Sequence, residues 1–284
     1  MAENGKTFSA TPAPYIHSAD TVAKRCWGQL AALMPVIFAA GFFGKTEFLH
    51  VLLLSLISAV AFELLGAKLF GKKDKLHHGE AILIAVLMAI LMPPGCPSEA
   101  ILLANFLAVF IAKEFFGGMG EYLFHPVLFA RVFLHASFPG MTAEPLVLHG
   151  SFWVLTAVGI GGLILVRQKQ GYWETPFLYI TLCSFCTFAL GRWGNDPGNF
   201  FSGVLLTAFF LLADPVAMPL TRRGTRLFVA GAALLSALLS PRGFSMAAAG
   251  FSILLMNLLT PWLDVWLRPR PSAAEGLVNA GGQS

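Results

Sequence analysis

Several charged side chains stand in or beside apolar segments, where they are candidates for ion or proton chemistry. Glu63 lies inside AVAFELLGA, and Asp214 ends the apolar part of LLADP. A carboxylate inside a membrane or at its edge is costly, which makes each of them a candidate ion ligand. Two alternatives stay open: Glu63 could form a buried pair with Arg131, and Asp214 could cap the turn that follows it. Lys113 and Glu114 end another apolar run, where a lysine is expected to reach back to the polar interface.

The cysteines offer a second possible chemistry. Cys183 and Cys186 form a C-x-x-C whose members share one face of a helix. An iron–sulfur cluster needs a second such pair, which the four cysteines of this chain do not supply. A cluster would therefore need a partner protein, and packing between helices is the favoured interpretation. No P-loop, dinucleotide fingerprint, zinc spacing or hydrolase constellation is present in the sequence.

The composition predicts an all-α polytopic membrane protein. Apolar residues make up 56% of the chain and charged residues 12%, whereas about a quarter of the residues in soluble domains are charged. Inside lipid every backbone polar group must be satisfied within the protein, which favours helices. Ten transmembrane spans are predicted, near residues 27–43, 48–70, 80–92, 99–116, 124–138, 150–166, 174–191, 199–213, 226–240 and 244–262.

The distribution of basic residues predicts the orientation. With the N-terminus inside, the external loops carry only three of the 19 lysines and arginines, namely Lys45, Arg192 and Arg242. This positive-inside bias supports ten spans with both ends cytoplasmic, in a bacterial-type inner membrane. The same bias accounts for the net charge of +4, so nucleic acid is not an expected partner.

Proline spacing predicts an internal duplication. The interval from Pro93 to Pro139 equals the interval from Pro215 to Pro261, with a glycine-containing turn inside each. Five spans per copy place the two copies in opposite orientations, which is an inverted repeat. The predicted divisions are a polar cytoplasmic lead (1–26), repeat 1 (27–143), repeat 2 (144–270) and a disordered cytoplasmic tail (271–284).

Several of the predicted spans are too short to cross a bilayer, which needs about 20 helical residues. Among them are residues 80–92, 124–138 and 199–213. We expect these helices to stop inside the protein, where their free backbone groups line a cavity or contact a ligand. A central site where the two repeats meet is therefore predicted.

Four segments resemble the membrane D subunit of Rnf complexes and the related B subunit of sodium-translocating NADH:quinone reductase. The resemblance covers roughly residues 12–270. The segments are PYIHSADTVAKR, GEAILIAVLMAILMPPG, KEFFGGMGEYLFHPVLFARVFLHASFP and LLADPVAMPLTRRGTRLF, the last followed by a helix that ends in LTPWLDVWLRPR.

The resemblance implies a ten-helix subunit with an inverted repeat like that of urea and ammonium channels. Such a subunit is not catalytic alone. With other membrane subunits it passes electrons through a flavin while the complex moves Na⁺ or H⁺. Asp214 matches the acidic residue of the family's D-P motif, which is associated with ion uptake. His125 and Pro126 stand where members usually have Asn-Pro, at the start of the fifth helix.

One family feature is missing. Members carry FMN esterified to the threonine of an S-G-A-T motif in the loop after the fifth span, and the resemblance also allows a second, non-covalent flavin. Here that loop reads GMTAEPLVLHG, and Thr142 is its only threonine. Thr142 is a candidate by position alone, so the expected flavin (FMN or riboflavin) is non-covalent. The alternatives are a channel or transporter for a small solute that uses the same fold without redox chemistry, and a flavin-free scaffold subunit.

Overall fold

The computed structural model describes most of the chain, and its regular structure there is helical. The described residues are 21–71, 78–93, 95–118, 120–138, 144–145, 152–168, 174–194, 197–212, 214, 216–240 and 243–267. Their helices are α1 (Val22–Leu69), α2 (Glu80–Leu91), α3 (Ser98–Asn105), α4 (Pro126–Ser137), α5 (Phe152–Arg167), α6 (Glu174–Ala189), α7 (Pro197–Leu206), α8 (Arg222–Leu239) and α9 (Met246–Trp266). The prediction of an all-α protein is confirmed for this part of the chain.

The first helix is two helices in sequence. As one straight helix its 48 residues would be about 72 Å long, more than twice the ~30 Å thickness of a hydrocarbon core. The backbone leaves the helical region at Lys45, where φ is 46° and ψ is −130°. This break falls between the first and second predicted spans.

The described helices differ in their capacity to cross a membrane. By length and composition, α1 and α9 are long and apolar enough to do so. The shorter apolar helices are Glu80–Leu91, Pro126–Ser137, Phe152–Arg167 and Pro197–Leu211. Nearly every residue of the 12-residue α2 is buried, so this short helix is surrounded by protein.

Two helices continue as π-helix. The nine residues Phe106–Glu114 extend α3, and the five residues Thr207–Leu211 extend α7. A π-helical segment shifts which side chains share a face, and such segments are frequent at functional sites. Lys113 and Glu114 are the last two residues of the first segment.

The turn glycines agree with the repeat pattern, but one of its prolines does not. Gly117 and Gly243 have φ of 125° and 87°, a region that favours glycine. The tenth predicted span was expected to end at residue 262, beside Pro261. Instead α9 runs through Pro261 to Trp266. A proline removes one backbone donor, and neighbouring helices can re-satisfy the freed carbonyl in a membrane bundle.

Small residues allow close helix contacts across the bundle. A Cβ added at Gly161 of α5 would lie 2.3 Å from the Ala32 carbonyl oxygen of α1. A Cβ at Gly250 of α9 would lie 2.8 Å from a methyl group of Val132 in α4. Helices therefore meet at backbone distance in the α1–α5 pair and pack tightly in the α4–α9 pair, as small residues permit in membrane bundles.

We expect Gly161→Ala to destabilise the protein by about 1–3 kcal/mol, because the carbonyl of Ala32 cannot yield without a shift of the α1 backbone. Gly159 is the matched control, since a Cβ there meets nothing within 4 Å. The thermal unfolding midpoint of detergent-purified protein should fall for Gly161→Ala and stay level or rise for Gly159→Ala. Equal midpoints for the two variants would contradict this packing.

Candidate functional site

A group of buried charged side chains lies where α1, α2 and the π-helical end of α3 meet. The Lys113 Nζ is 3.2 Å from the Glu63 Oε2, 3.1 Å from the Glu80 Oε2 and 3.8 Å from the Glu114 Oε1. All four residues are buried, and Lys113 is only 1% exposed. We call Glu63, Glu80, Lys113 and Glu114 the charge cluster.

The charge cluster corrects two expectations from the sequence. Lys113 was expected to reach the polar interface, but it points into the protein and contacts three carboxylates. Arg131 was a possible partner for Glu63, but Lys113 takes that place. The Arg131 Nε instead donates to the Leu91 carbonyl at 3.0 Å, at the C-terminal end of α2. The short helices were expected to leave free backbone groups inside the protein. At the end of α2, the Leu91 carbonyl accepts its hydrogen bond from the Arg131 side chain.

The charges of the cluster do not balance. With every group ionised, three carboxylates face one ammonium, and uncompensated buried charge costs several kcal/mol per ion. Two atoms that face the lysine, the Oε2 of Glu63 and the Oε2 of Glu80, lack a well-aligned hydrogen bond among the described residues. Among these four residues, protons or a cation would offset the excess negative charge.

A neutral hydrogen-bond network holds the same three elements together. The Ser55 hydroxyl of α1 donates to the Ala85 carbonyl of α2 at 2.9 Å. The Asn105 amide of α3 donates to the Ser55 oxygen at 3.0 Å and to the Ile101 carbonyl at 3.0 Å. Ser55 and Asn105 are fully buried, so this network fixes how the helices that carry the cluster are spaced.

Asp214 is half-buried in the loop after α7, and it has two kinds of partner. Its Oδ1 accepts a hydrogen bond from the Val216 N–H at 3.1 Å, which confirms that it caps the following turn. The Tyr122 hydroxyl also donates to its Oδ2 at 3.1 Å and its Oδ1 at 3.3 Å. Tyr122 lies in the loop between the π-helical end of α3 and α4. Burial, together with the Asp214 charge, raises the pKa of Tyr122 well above its ordinary value, so the phenol remains a donor at neutral pH.

Asp214 and the charge cluster belong to one electrostatic region. The carboxylate of Glu80 interacts with the charges of Asp214 and Glu63 as well as with Lys113. Cys26, near the start of α1, is close enough to interact with Glu80, Lys113 and Asp214. The two candidate ligands Glu63 and Asp214, far apart in sequence, are therefore both within electrostatic range of Glu80. Sequence reasoning did not identify Glu80, although the acid directly before the apolar run AILIAVLMAIL was a usable signal.

A buried amide joins the two loops that carry Tyr122 and Asp214. Asn257 of α9 is fully buried. With its amide nitrogen facing the carbonyls, it donates to Ala217 at 3.3 Å and accepts from the His125 N–H at 3.2 Å. His125 also caps α4 through its ring nitrogen, which accepts from the Leu128 N–H at 3.4 Å. This contact holds the loop before α4 beside the loop after α7.

The remaining candidates do not assemble into a redox site among the described residues. Cys183 is buried and Cys186 is half-buried on α6. Within the described ranges, no three His, Cys, Asp or Glu side chains are arranged to hold a metal ion. Thr142, the positional candidate for a covalent flavin, lies outside the described residues.

Comparison with known proteins gives a consistent result along the chain. The profile of the NQR2, RnfD, RnfE family matches residues 9–149 and 141–273. The D subunit of the proton-translocating ferredoxin:NAD(+) oxidoreductase complex of Clostridium ljungdahlii is 27% identical over 314 residues, which cover 92% of this chain and 95% of that protein. The D subunit of the ion-translocating oxidoreductase complex of Methanosarcina acetivorans is 28% identical over 287 residues (93% and 97%). The D subunit of the Na(+)-translocating ferredoxin:NAD(+) oxidoreductase complex of Acetobacterium woodii is 28% identical over 307 residues (94% and 96%).

Proposed function

Since the chain belongs to the NQR2, RnfD, RnfE family, we propose that it is the D-type membrane component of an Rnf-type complex that couples electron transfer to ion movement. The observation that carries this proposal is the match over 92–94% of the chain to three relatives, each named as the D subunit of an oxidoreductase complex. The chain is then an integral component that works with the other membrane subunits of the complex and is not catalytic alone.

The same proposal includes ten spans arranged as a five-plus-five inverted repeat. Counting α1 as two spans makes α4 the fifth, α5 the sixth and α9 the tenth. The contacts of α1 with α5 and of α4 with α9 then pair equivalent spans of the two copies. The contact of α6 with α8 likewise repeats the contact of α1 with α3. A pseudo-two-fold axis in the membrane plane accounts for both sets.

We further propose that both chain ends face the cytoplasm of a bacterial-type cell and that the span ends bearing most lysines and arginines lie on that side. The break in α1 at Lys45 then forms the external loop between the first two spans. The N-terminal ends of α6 and α8 then face the cytoplasm.

The proposed ion path begins at Asp214 and includes Glu63 with the rest of the charge cluster. The support is the gathering of three buried carboxylates around one ammonium group, an arrangement that attracts a proton or a small cation. Tyr122 orients the Asp214 carboxylate, and Lys113 holds the cluster partly neutral when no cation is present. The names of the relatives differ in the ion, H⁺ in one and Na⁺ in another, so we assign no ion.

We also propose that any flavin on this protein is non-covalent. The loop GMTAEPLVLHG lacks the S-G-A-T sequence in which family members esterify FMN. A flavin would supply the electron-transfer chemistry, and the protein would supply its position and surroundings. The described residues do not define its position, so no residue is assigned to it.

The direct test is purification of the complex from its own membranes in mild detergent, followed by acid precipitation. We expect the chain to co-purify with other membrane subunits and any flavin on it to be released into the supernatant. Inverted membrane vesicles should accumulate a cation during ferredoxin:NAD⁺ turnover, and vesicles from a strain lacking this chain should not. A stable, flavin-free chain that alone moves a small solute into liposomes would overturn the proposal in favour of a channel.

A further inference from the structure

The first turn of α1 packs against the start of α2, whose first residue, Glu80, belongs to the charge cluster. Gly79 caps α2 with a φ of 74°, and a Cβ added there would lie 3.1 Å from the Trp27 ring. Cys26, the residue before Trp27, is only 7% exposed. It shares the buried face of α1 with Leu30, one turn further along the helix. The Cys26 thiol therefore lies inside the protein where α1 and α2 begin.

Cys26 is within electrostatic range of both parts of the proposed ion path. It interacts with Asp214 and also with Glu80 and Lys113 of the charge cluster. Tyr122, which donates a hydrogen bond to Asp214, interacts with Cys26 and Glu80 as well. The thiol of Cys26 and the phenol of Tyr122 therefore each lie near the carboxylates of both Asp214 and Glu80.

Polar atoms with unused hydrogen-bonding capacity are found in the same part of the protein. Among the described residues, no well-aligned hydrogen bond reaches the Glu63 Oε2, the Glu80 Oε2 or the His78 Nδ1. Both carboxylate oxygens face the Lys113 ammonium, and His78 lies two residues before Glu80. A buried polar atom costs free energy unless it finds a partner. These atoms can therefore interact with a cation or a proton that reaches Glu80.

We propose that a cation or proton entering from the cytoplasm passes Cys26 on its way from Asp214 to Glu80. The thiol lines the path, and the carboxylates near it attract the positive charge. Trp27 holds the first turn of α1 against Gly79 and so keeps the thiol in place. This inference rests on the proposed function, including the orientation in which α1 and α2 both begin on the cytoplasmic side.

Thiol reagents of opposite charge test this path on the complex purified in a neutral detergent. A cationic and an anionic methanethiosulfonate are each added during turnover, and the modification of Cys26 is followed by mass spectrometry of this chain. Both reagents react with the same thiolate, so the ratio of their rates does not depend on how readily the thiol ionises. We expect the cationic reagent to react about tenfold faster, because an electronegative path concentrates cations.

Substitutions at two carboxylates show whether this preference comes from the path. Asp214→Asn and Glu80→Gln should each bring the ratio of the two rates closer to one. A cysteine introduced by Lys68→Cys is the control, because Lys68 is exposed near the end of α1, and this cysteine should show little preference. Modification of Cys26 should also abolish cation uptake by inverted membrane vesicles, and vesicles with Cys26→Ala should be much less sensitive to both reagents.

Three results would each overturn the inference. They are equal rates of the two reagents at Cys26, a preference for the cationic reagent that both carboxylate variants retain, and the absence of any modification of Cys26 during turnover. If vesicles show no cation uptake while Cys26 keeps its preference for the cationic reagent, the proposed function fails and the path past Cys26 stands. If uptake persists after complete modification of Cys26, the inference fails and the proposed function stands.

Discussion

Replacement of Lys113 by methionine is expected to destabilise the protein by about 3–5 kcal/mol, the cost of removing one partner from a buried ion pair. Methionine keeps the length and apolar stem of lysine but removes the ammonium group that Glu63, Glu80 and Glu114 share. Carboxylates gathered in a low-dielectric interior repel one another. The measurement is the thermal unfolding midpoint and the monodisperse yield in detergent. Lys68→Met is the control, because Lys68 lies exposed near the end of α1.

A second substitution separates charge repulsion from lost packing. In Lys113→Met/Glu80→Gln one carboxylate becomes a neutral amide of the same shape, so the double variant should recover part of the stability lost by Lys113→Met. The coupling between two such sites is read from a double-mutant cycle. If Lys113→Met is as stable as the parent, or if Glu80→Gln lowers stability further, the cluster is not held together by its ammonium group.

The fold follows from the sequence wherever local signals suffice. Apolar runs marked the helices, and Lys45, a charged residue between two such runs, lies where α1 is broken. Pro126 is the first residue of α4, a position that favours proline, and the structure shows His125 as the cap before it. The π-helical stretch Phe106–Glu114 carries no such local signal, because packing of neighbouring elements selects it. The end of the last helix was misplaced at Pro261 because the proline alone does not show that the folded protein accommodates it inside α9.

Only some of the acids in the candidate site could be singled out from the sequence, and none of their partners. The cost of a charge in an apolar run pointed to Glu63 and Asp214 as candidates but not to Glu80. Which side chains compensate the charges of these acids depends on the tertiary structure. Tyr122, for example, donates a hydrogen bond to Asp214 although 92 residues separate them in the sequence. Lys113 turns inward only because α1 and α2 present carboxylates to it. Its position at the end of an apolar run fits either a surface or a buried lysine.

Asp214→Asn should raise the ion concentration needed for half-maximal redox turnover about 10- to 100-fold, with little change in assembly. The estimate takes the loss of an interaction with a charged group as about 1.5–3 kcal/mol, and a tenfold change in affinity as about 1.4 kcal/mol. Asparagine keeps an oxygen that can accept from the Val216 N–H, so the turn is preserved while the negative charge is removed. Tyr122→Phe keeps the charge and deletes the phenol hydrogen bond, so its effect should be smaller.

Asp264→Asn is the matched control for Asp214→Asn. Asp264 also accepts one backbone hydrogen bond, from the Leu220 N–H at 2.8 Å. The same chemical change is therefore made at a second aspartate whose side chain holds a loop in place. The readout is the dependence of turnover on Na⁺ concentration and on pH in membrane vesicles, beside the amount of assembled complex. An equal shift in both variants would assign the effect to loop structure. An unchanged ion dependence in Asp214→Asn would remove Asp214 from the path and leave the buried carboxylates Glu63 and Glu80 as the remaining negative charges that could attract the ion.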